Sequence, residues 1–181
     1  MRDSLIIGAI LMIETNKIMK IDATDVKILK ILQRNGRITN SALAKEINIS
    51  PPPTLERVKK LEKSGVIKKF VALLDPSAVG IGTHTFVEVT LSGHTQEKVT
   101  AFIEAAREME EIMECHHVTG DADFLLKIAV ADIPAYEQLI LHKLTALPNV
   151  SNLKTMVVLS TFKDETAYNL EGVKNGNKND A

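Results

Sequence analysis

The chain has 181 residues, 45% hydrophobic and 25% charged, which suits one or two compact soluble domains and excludes collagen-like, mucin-like and low-complexity classes. Its 22 Lys and Arg stand against 23 Asp and Glu, a formal charge of -1 that taken alone argues against a nucleic-acid partner. A single cysteine, Cys115, forbids an internal disulfide and points to a reducing compartment, while the absence of Trp and the scarcity of Tyr and Phe argue against base recognition by aromatic stacking.

In chain order, the apolar run Leu5 to Ile13 is nine residues long, far short of the roughly 20 that a membrane helix needs. Arg2 precedes it as in a secretory signal, but Glu14-Thr15-Asn16-Lys17 follows where a small-residue cleavage site should stand. Residues 1–20 therefore read as an N-terminal extension, either an extra helix or strand or sequence ahead of a later start at Met12 or Met19.

From Ile21 the punctuation is regular. Asp22 can cap a helix with Asp25 in its first turn and an apolar stripe of Val26, Ile28, Leu29, Ile31 and Leu32, ended by Gly36. Thr39 can cap a short second helix carrying Leu43 and Ile47, and Asn48-Ile49-Ser50 forms a turn. In the next segment, SPPPTLERVKKLEKSG, Pro51 to Pro53 can occupy a first helical turn, whose N–H groups have no intrahelical partners in any case, with Ser50 as N-cap. Leu55, Val58 and Leu61 are expected to face inward, leaving Pro53, Glu56, Arg57, Lys60 and Lys63 outward on a face that suits an anionic partner. Val66 to Leu74 reads as a short strand or hairpin wing bearing Lys68 and Lys69.

Asp75-Pro76 marks a boundary. Beyond it, Thr85 to Leu91 alternates as a strand; Val99, Phe102, Ile103 and Ala106 have helical spacing; and Ile112 to Val118 is extended. After a Gly-Asp turn come a strand from Asp123 to Val130, a helix from Ala135 to Leu147 and a strand from Leu153 to Phe162. The order βαββαβ predicts a ferredoxin-like sandwich, so the fold class is α+β, an N-terminal winged helix-turn-helix followed by that sandwich. The expected divisions are the extension 1–20, a helical domain with linker strand 21–75, the sandwich domain 76–170, and a disordered tail 171–181.

Divided at Asp75-Pro76, the charge tells a different story. Residues 21–75 hold 11 Lys and Arg against six Asp and Glu, whereas residues 76–181 hold eight against 15. A basic helical module joined to an acidic sandwich suits a nucleic-acid reader attached to a separate sensor or assembly domain. In such a module the last helix enters the major groove: Ser50, Pro53, Thr54 and Arg57 line its leading part, with Ser50, Thr54 and Arg57 able to bond bases or phosphates, and Lys59, Lys60, Lys63, Lys68 and Lys69 neutralise phosphates.

Residues Ile21 to Gly80, IDATDVKILKILQRNGRITNSALAKEINISPPPTLERVKKLEKSGVIKKFVALLDPSAVG, resemble the N-terminal half of the leucine-responsive regulatory protein/AsnC family of transcription regulators. ECHHVTGDADFLLKIAVADIPAYEQLI and LPNVSNLKTMVVLSTFK resemble its second half, in the family's order and spacing. The resemblance implies a cytoplasmic regulator of double-stranded DNA that dimerises through its sandwich, assembles into tetramers or octamers, and responds to an amino acid. It implies no catalytic activity, cofactor or membrane partner.

Cys115, His116 and His117, with Asp121 and Asp123 nearby, invite a metal reading, but alternation on a strand turns His116 away from its two neighbours, so no metal site is expected. Thr119-Gly120-Asp121-Ala122-Asp123 reads either as a plain polar hairpin turn or as a site in which backbone N–H groups and an aspartate hold a free amino acid. The family resemblance favours the second, and implies an effector pocket between subunits drawing on Gly120, Asp121 and Asp123 together with Thr155, Val157 and Val158. From the residues alone, Val157 and Val158 are equally readable as sandwich core. Two alternatives stay open at this level: an architectural nucleoid protein without a ligand, and an enzyme resembling the siroheme decarboxylases, against which the intact basic face argues.

Overall fold

The computed structural model describes residues 20–173, so the readings of the extension as far as residue 19 and of the tail from residue 174 lie outside the described residues. Two compact units are present: the described part of the first takes in residues 20–72 and 165–173, and the second is Leu73–Asp164.

The described part of the first unit holds three helices. α1 (Ala23–Arg34) begins at a reciprocal capping box: the Asp25 N–H donates to the Asp22 carboxylate at 2.8 Å, and the Asp22 N–H donates to the Asp25 carboxylate at 3.1 Å. α2 (Asn40–Ile47) is capped by Thr39 and stops at Asn48, whose φ of 58° places it in the left-handed region. α3 (Pro51–Lys63) starts on its prolines and ends at Ser64, with Gly65 at φ 77° turning the chain away. Ile28, Leu43, Ile47 and Leu61 form the fully enclosed part of the core, flanked by Leu29, Ile31, Leu32, Val58 and Ile67.

Three expectations change here. The inward stripe of α3 is Thr54, Val58 and Leu61, because Leu55 is 40% exposed and Thr54 is fully buried. Val66 to Leu74, expected as a short strand or hairpin wing, carries no strand pairing, and Phe70, Val71, Leu73 and Leu74 stand open to solvent. A strand exists only as part of a ladder with a neighbouring strand, and none of the described residues supplies one. The segment 165–173, expected with the sandwich or its tail, instead belongs to the first unit. The Gln33 side-chain amide donates to the Tyr168 carbonyl at 3.2 Å and accepts the Tyr168 N–H at 2.7 Å.

The second unit is a four-stranded antiparallel sheet of β1 (Thr83–Leu91), β2 (Ile112–His117), β3 (Phe124–Val130) and β4 (Val150–Val157), ordered β2-β3-β1-β4, with two helices on one face. β1 and β3 alternate strictly between buried and half-buried positions, the period-two pattern of strands covered on one side. Val87, Val89, Leu126 and Ile128 from these strands meet Phe102 and Ala106 of α4 (Gln96–Arg107) and Tyr136 and Leu139 of α5 (Ile133–His142). β2 and β4 flank them and are the sheet's edges. β4 begins three residues before the expected Leu153 and ends at Val157; one further bond, Val158 N–H to the His84 carbonyl, closes the pairing, and Leu159 and Phe162 are almost wholly exposed.

Candidate nucleic-acid interface and effector turn

The leading end of α3 follows directly from its three prolines. A helix normally leaves its first four backbone N–H groups unpaired, but Pro51, Pro52 and Pro53 have none, and the Thr54 N–H already bonds the Ser50 carbonyl at 3.3 Å. Of the leading amides only that of the N-cap, Ser50, remains to meet a phosphate. Ser50 makes no side-chain cap bond and stays exposed, as do all three prolines. The Thr54 hydroxyl, placed at the interface by the sequence reading, donates to the Ser50 carbonyl at 3.0 Å from a fully buried position. It is a core group.

Arg57, expected at the interface, is engaged within the chain. Its guanidinium donates to the Asp22 carboxylate at 2.6 Å and to the Asp25 carboxylate at 2.7 Å, tying α3 to the capped start of α1. The Asp25 side chain is 4% exposed, so this is a partly buried, charge-assisted pair rather than a solvated surface contact. Bonds to Asp22 and then Asp25 raise the arginine further above its usual range; burial opposes this. For Asp22, burial would raise the carboxyl, but the Asp25 N–H and the Arg57 guanidinium outweigh it and hold it low. Lys59, Lys60, Lys63, Lys68 and Lys69 remain exposed, Lys59 in a loose pair with Glu56 at 3.3 Å.

In the second unit the β2–β3 turn is fixed from beneath. The Asp123 carboxylate accepts the Leu91 N–H at 2.8 Å with one oxygen and meets His94 Nε2 at 2.8 Å with the other, and the Asp123 N–H donates to the Val89 carbonyl. Both oxygens are thus committed within the chain. Gly120, at φ 123°, holds a backbone conformation that side chains rarely adopt, and Asp121 beside it is exposed.

Comparison with known proteins assigns both halves. Residues 21–68 match the family model described as winged helix-turn-helix DNA-binding, and residues 84–168 match the Lrp/AsnC ligand binding domain. The leucine-responsive regulatory protein of Haemophilus influenzae is 46% identical over 143 residues, covering 79% of this chain and 86% of that protein. The chain belongs to the Lrp/AsnC family of transcription regulators. Among solved structures, a transcriptional regulator from Neisseria meningitidis, determined as its L-Met complex, superposes with a TM-score of 0.80 at 33% identity and covers 84% of this chain and 99% of that one. An AsnC family regulator from Agrobacterium tumefaciens gives 0.78 at 32% identity, covering 82% and 97%. The protein is a DNA-binding transcription regulator with a ligand-binding domain.

Within a single Lrp/AsnC chain the residues nominated for the effector are not brought together. Asp123 bonds β1 at Val89, whereas Val157 pairs with Thr85, four residues further back along the same strand and about 13 Å away at strand rise. Thr155 is engaged with the Tyr136 hydroxyl at 2.7 Å, Val157 is 44% exposed, and Val158 is half-buried just past the strand end. Val157 is therefore not sandwich core. On β2, Cys115 packs against the core, where burial pushes its thiol up; His117 stacks on Phe124 with ring centroids 5.0 Å apart; His116 pairs with Glu114 at 2.9 Å, and Lys127 closes on the same carboxylate. These contacts account for each side chain by packing or pairing. The Arg57 clamp and the Gln33–Tyr168 pairing escaped the sequence reading; the first had a signal, an arginine on one helix matched to two acids at the start of another.

Proposed function

We propose that the regulator reads DNA through α3, with Lys59, Lys60, Lys63, Lys68 and Lys69 fixing the phosphate backbone, and that an amino acid bound at the β2–β3 turn changes its assembly or operator affinity. The observation that carries this reading is the separation of charge, a surplus of five positive charges over residues 21–75 against a deficit of seven over 76–181. Phosphate attraction is concentrated on the reader, and the acidic half discourages loose association elsewhere.

Support for an amino-acid effector is the L-Met complex of the Neisseria meningitidis relative, together with Gly120 and the exposed Asp121 at the turn. Asp121 offers a free carboxylate for an ammonium group, and Asp123 braces the turn. A second copy is needed to set Thr155, Val157 and Val158 against that turn, which favours a pocket shared between subunits. The open segment Phe70–Leu74 argues in the same direction, since pairing with another copy would cover its exposed apolar side chains. A homodimer also suits two-fold operators, with reader helices on half-sites about one helical turn, or a multiple, apart. We read the protein as cytoplasmic, non-enzymatic and able to assemble into tetramers or octamers, with the DNA-binding domain at 21–75 and the sensor at 76–164. Among the described residues no helix is long and apolar enough to cross a membrane.

The test is selection of bound DNA from a random pool, with and without pooled amino acids. An enriched motif whose recovery changes with the pool supports the reading. An enriched motif indifferent to every amino acid favours an architectural protein, and no enrichment removes the reader.

A further inference from the structure

In α3 the groups that usually read bases are missing from the leading half. The helix's single arginine is held by Asp22 and Asp25, Thr54 is buried, the prolines contribute no amide, and Glu56 leans on Lys59. Bidentate recognition of guanine or adenine requires Arg, Lys, Asn or Gln at a base edge, and the exposed lysines occupy only the second half, from Lys59 onward. What the leading half does expose is Pro51, Pro52, Pro53 and Leu55, with Glu56 as its one charged side chain, paired to Lys59, and Ser50 as its unengaged polar group. Apart from Glu56 that surface is apolar, and the prolines make it rigid.

The major groove carries one apolar feature, the C5-methyl group of thymine. We infer that Pro51, Pro52, Pro53 and Leu55 read operator DNA by packing on thymine methyl groups, while the lysines behind them fix register on phosphates. The inference rests on α3 being the reader. It explains why an exposed leucine and three exposed prolines stand on a helix whose rear half is cationic: apolar contact excludes water from the methyl, and a stiff leading turn presents that contact with little entropy to lose. Selectivity then comes from a pattern of methyl groups rather than from paired hydrogen bonds.

The experiment uses full-length protein and a duplex chosen from the random pool, resynthesised with deoxyuridine at each thymine in turn. Deoxyuridine keeps the O4 acceptor and the pairing and removes only the methyl. The expected result is a loss of affinity of roughly fourfold per contacted methyl, the ratio for burying one such carbon, at a short cluster of thymines. Pro52→Ser and Pro53→Ser, substitutions that a first helical turn accepts, and Leu55→Ser, at an exposed position, should each bring the thymine/uracil ratio towards one, with helix content checked by circular dichroism. Equal affinity for thymine and uracil at every position would overturn the inference, as would a ratio that survives all three variants. Failure of the underlying reading looks different: Lys60→Ala and Lys63→Ala would then leave both affinity and its salt dependence unchanged.

Discussion

The guanidinium of Arg57 lies 2.7 Å from the carboxylate of Asp25, and Asp25 is buried at the capped start of α1. A residue on the outward-turning helix is thereby bolted to the helix that opens the domain. The enclosed part of this core is small, formed by Ile28, Leu43, Ile47 and Leu61, so an ion pair that fixes the angle of α3 contributes more to orientation than it would in a larger domain.

Arg57→Ala should destabilise the reader unit by about 1–2 kcal/mol. That is the lower part of the range for stripping a buried carboxylate of its charged partner, because water reaches the guanidinium from its open side. DNA affinity should fall by a similar factor for every sequence, with the selected motif unchanged. Urea denaturation followed by binding to matched and mismatched operators checks both parts. Relaxed preference at one base pair, with unchanged stability, would return Arg57 to base reading.

Lys60 stands exposed on the rear half of α3, and its expected contribution is electrostatic. Lys60→Ala should weaken matched and unrelated duplexes alike and reduce the slope of log affinity against log salt by about 0.9, the value for one phosphate contact. A titration across salt concentrations measures this directly. A change of motif without a change of slope would contradict it.

Asp121 and Asp123 are separated by one residue and by function. Asp123→Ala leaves the Leu91 N–H without its partner and releases His94, so it should cost the sandwich about 1–2 kcal/mol and disturb the turn. Asp121→Asn should leave stability unchanged and abolish the amino-acid response. Thermal shift of each variant with the pooled amino acids separates them, and a full response in Asp121→Asn would move the ammonium site elsewhere.

The helix caps at Asp22 and Thr39 and the alternation of β1 and β3 were legible because each is a local pattern. Leu55 was misplaced because the spacings 55/58/61 and 54/58/61 both fit a helix, and a threonine does not announce burial when its hydroxyl is satisfied four residues back. Asp25 reads in sequence as an ordinary acid in a first turn; only the packing of α3 makes it a clamp. That the candidate effector residues lie apart within one chain was not legible, because sequence shows neither strand register nor the distance it imposes along β1. Val66 to Leu74 has strand composition, but a strand needs a partner, and composition does not say which chain provides it.

Acid should loosen both units. Asp22 in the reader is held below the usual carboxylate range despite its burial, by the Asp25 N–H and by Arg57. In the sandwich, Glu111 is held low by Lys143, and Glu114 by His116 and Lys127. For each group the folded chain resists protonation more than the unfolded chain, whose carboxyls titrate near 3.8 for Asp and 4.5 for Glu. Between those values and the lower folded ones the unfolded state binds more protons, so the stabilisation is fully present above about pH 5 and is lost as pH falls through the folded values. Denaturant midpoints at pH 7 and pH 3 should show the decline. Asp22→Asn keeps an N-cap side chain but removes the titrating group, so it should flatten the reader's share of the pH dependence and leave the sandwich's share intact. An equal decline of both units in that variant would assign the acid sensitivity to other carboxylates.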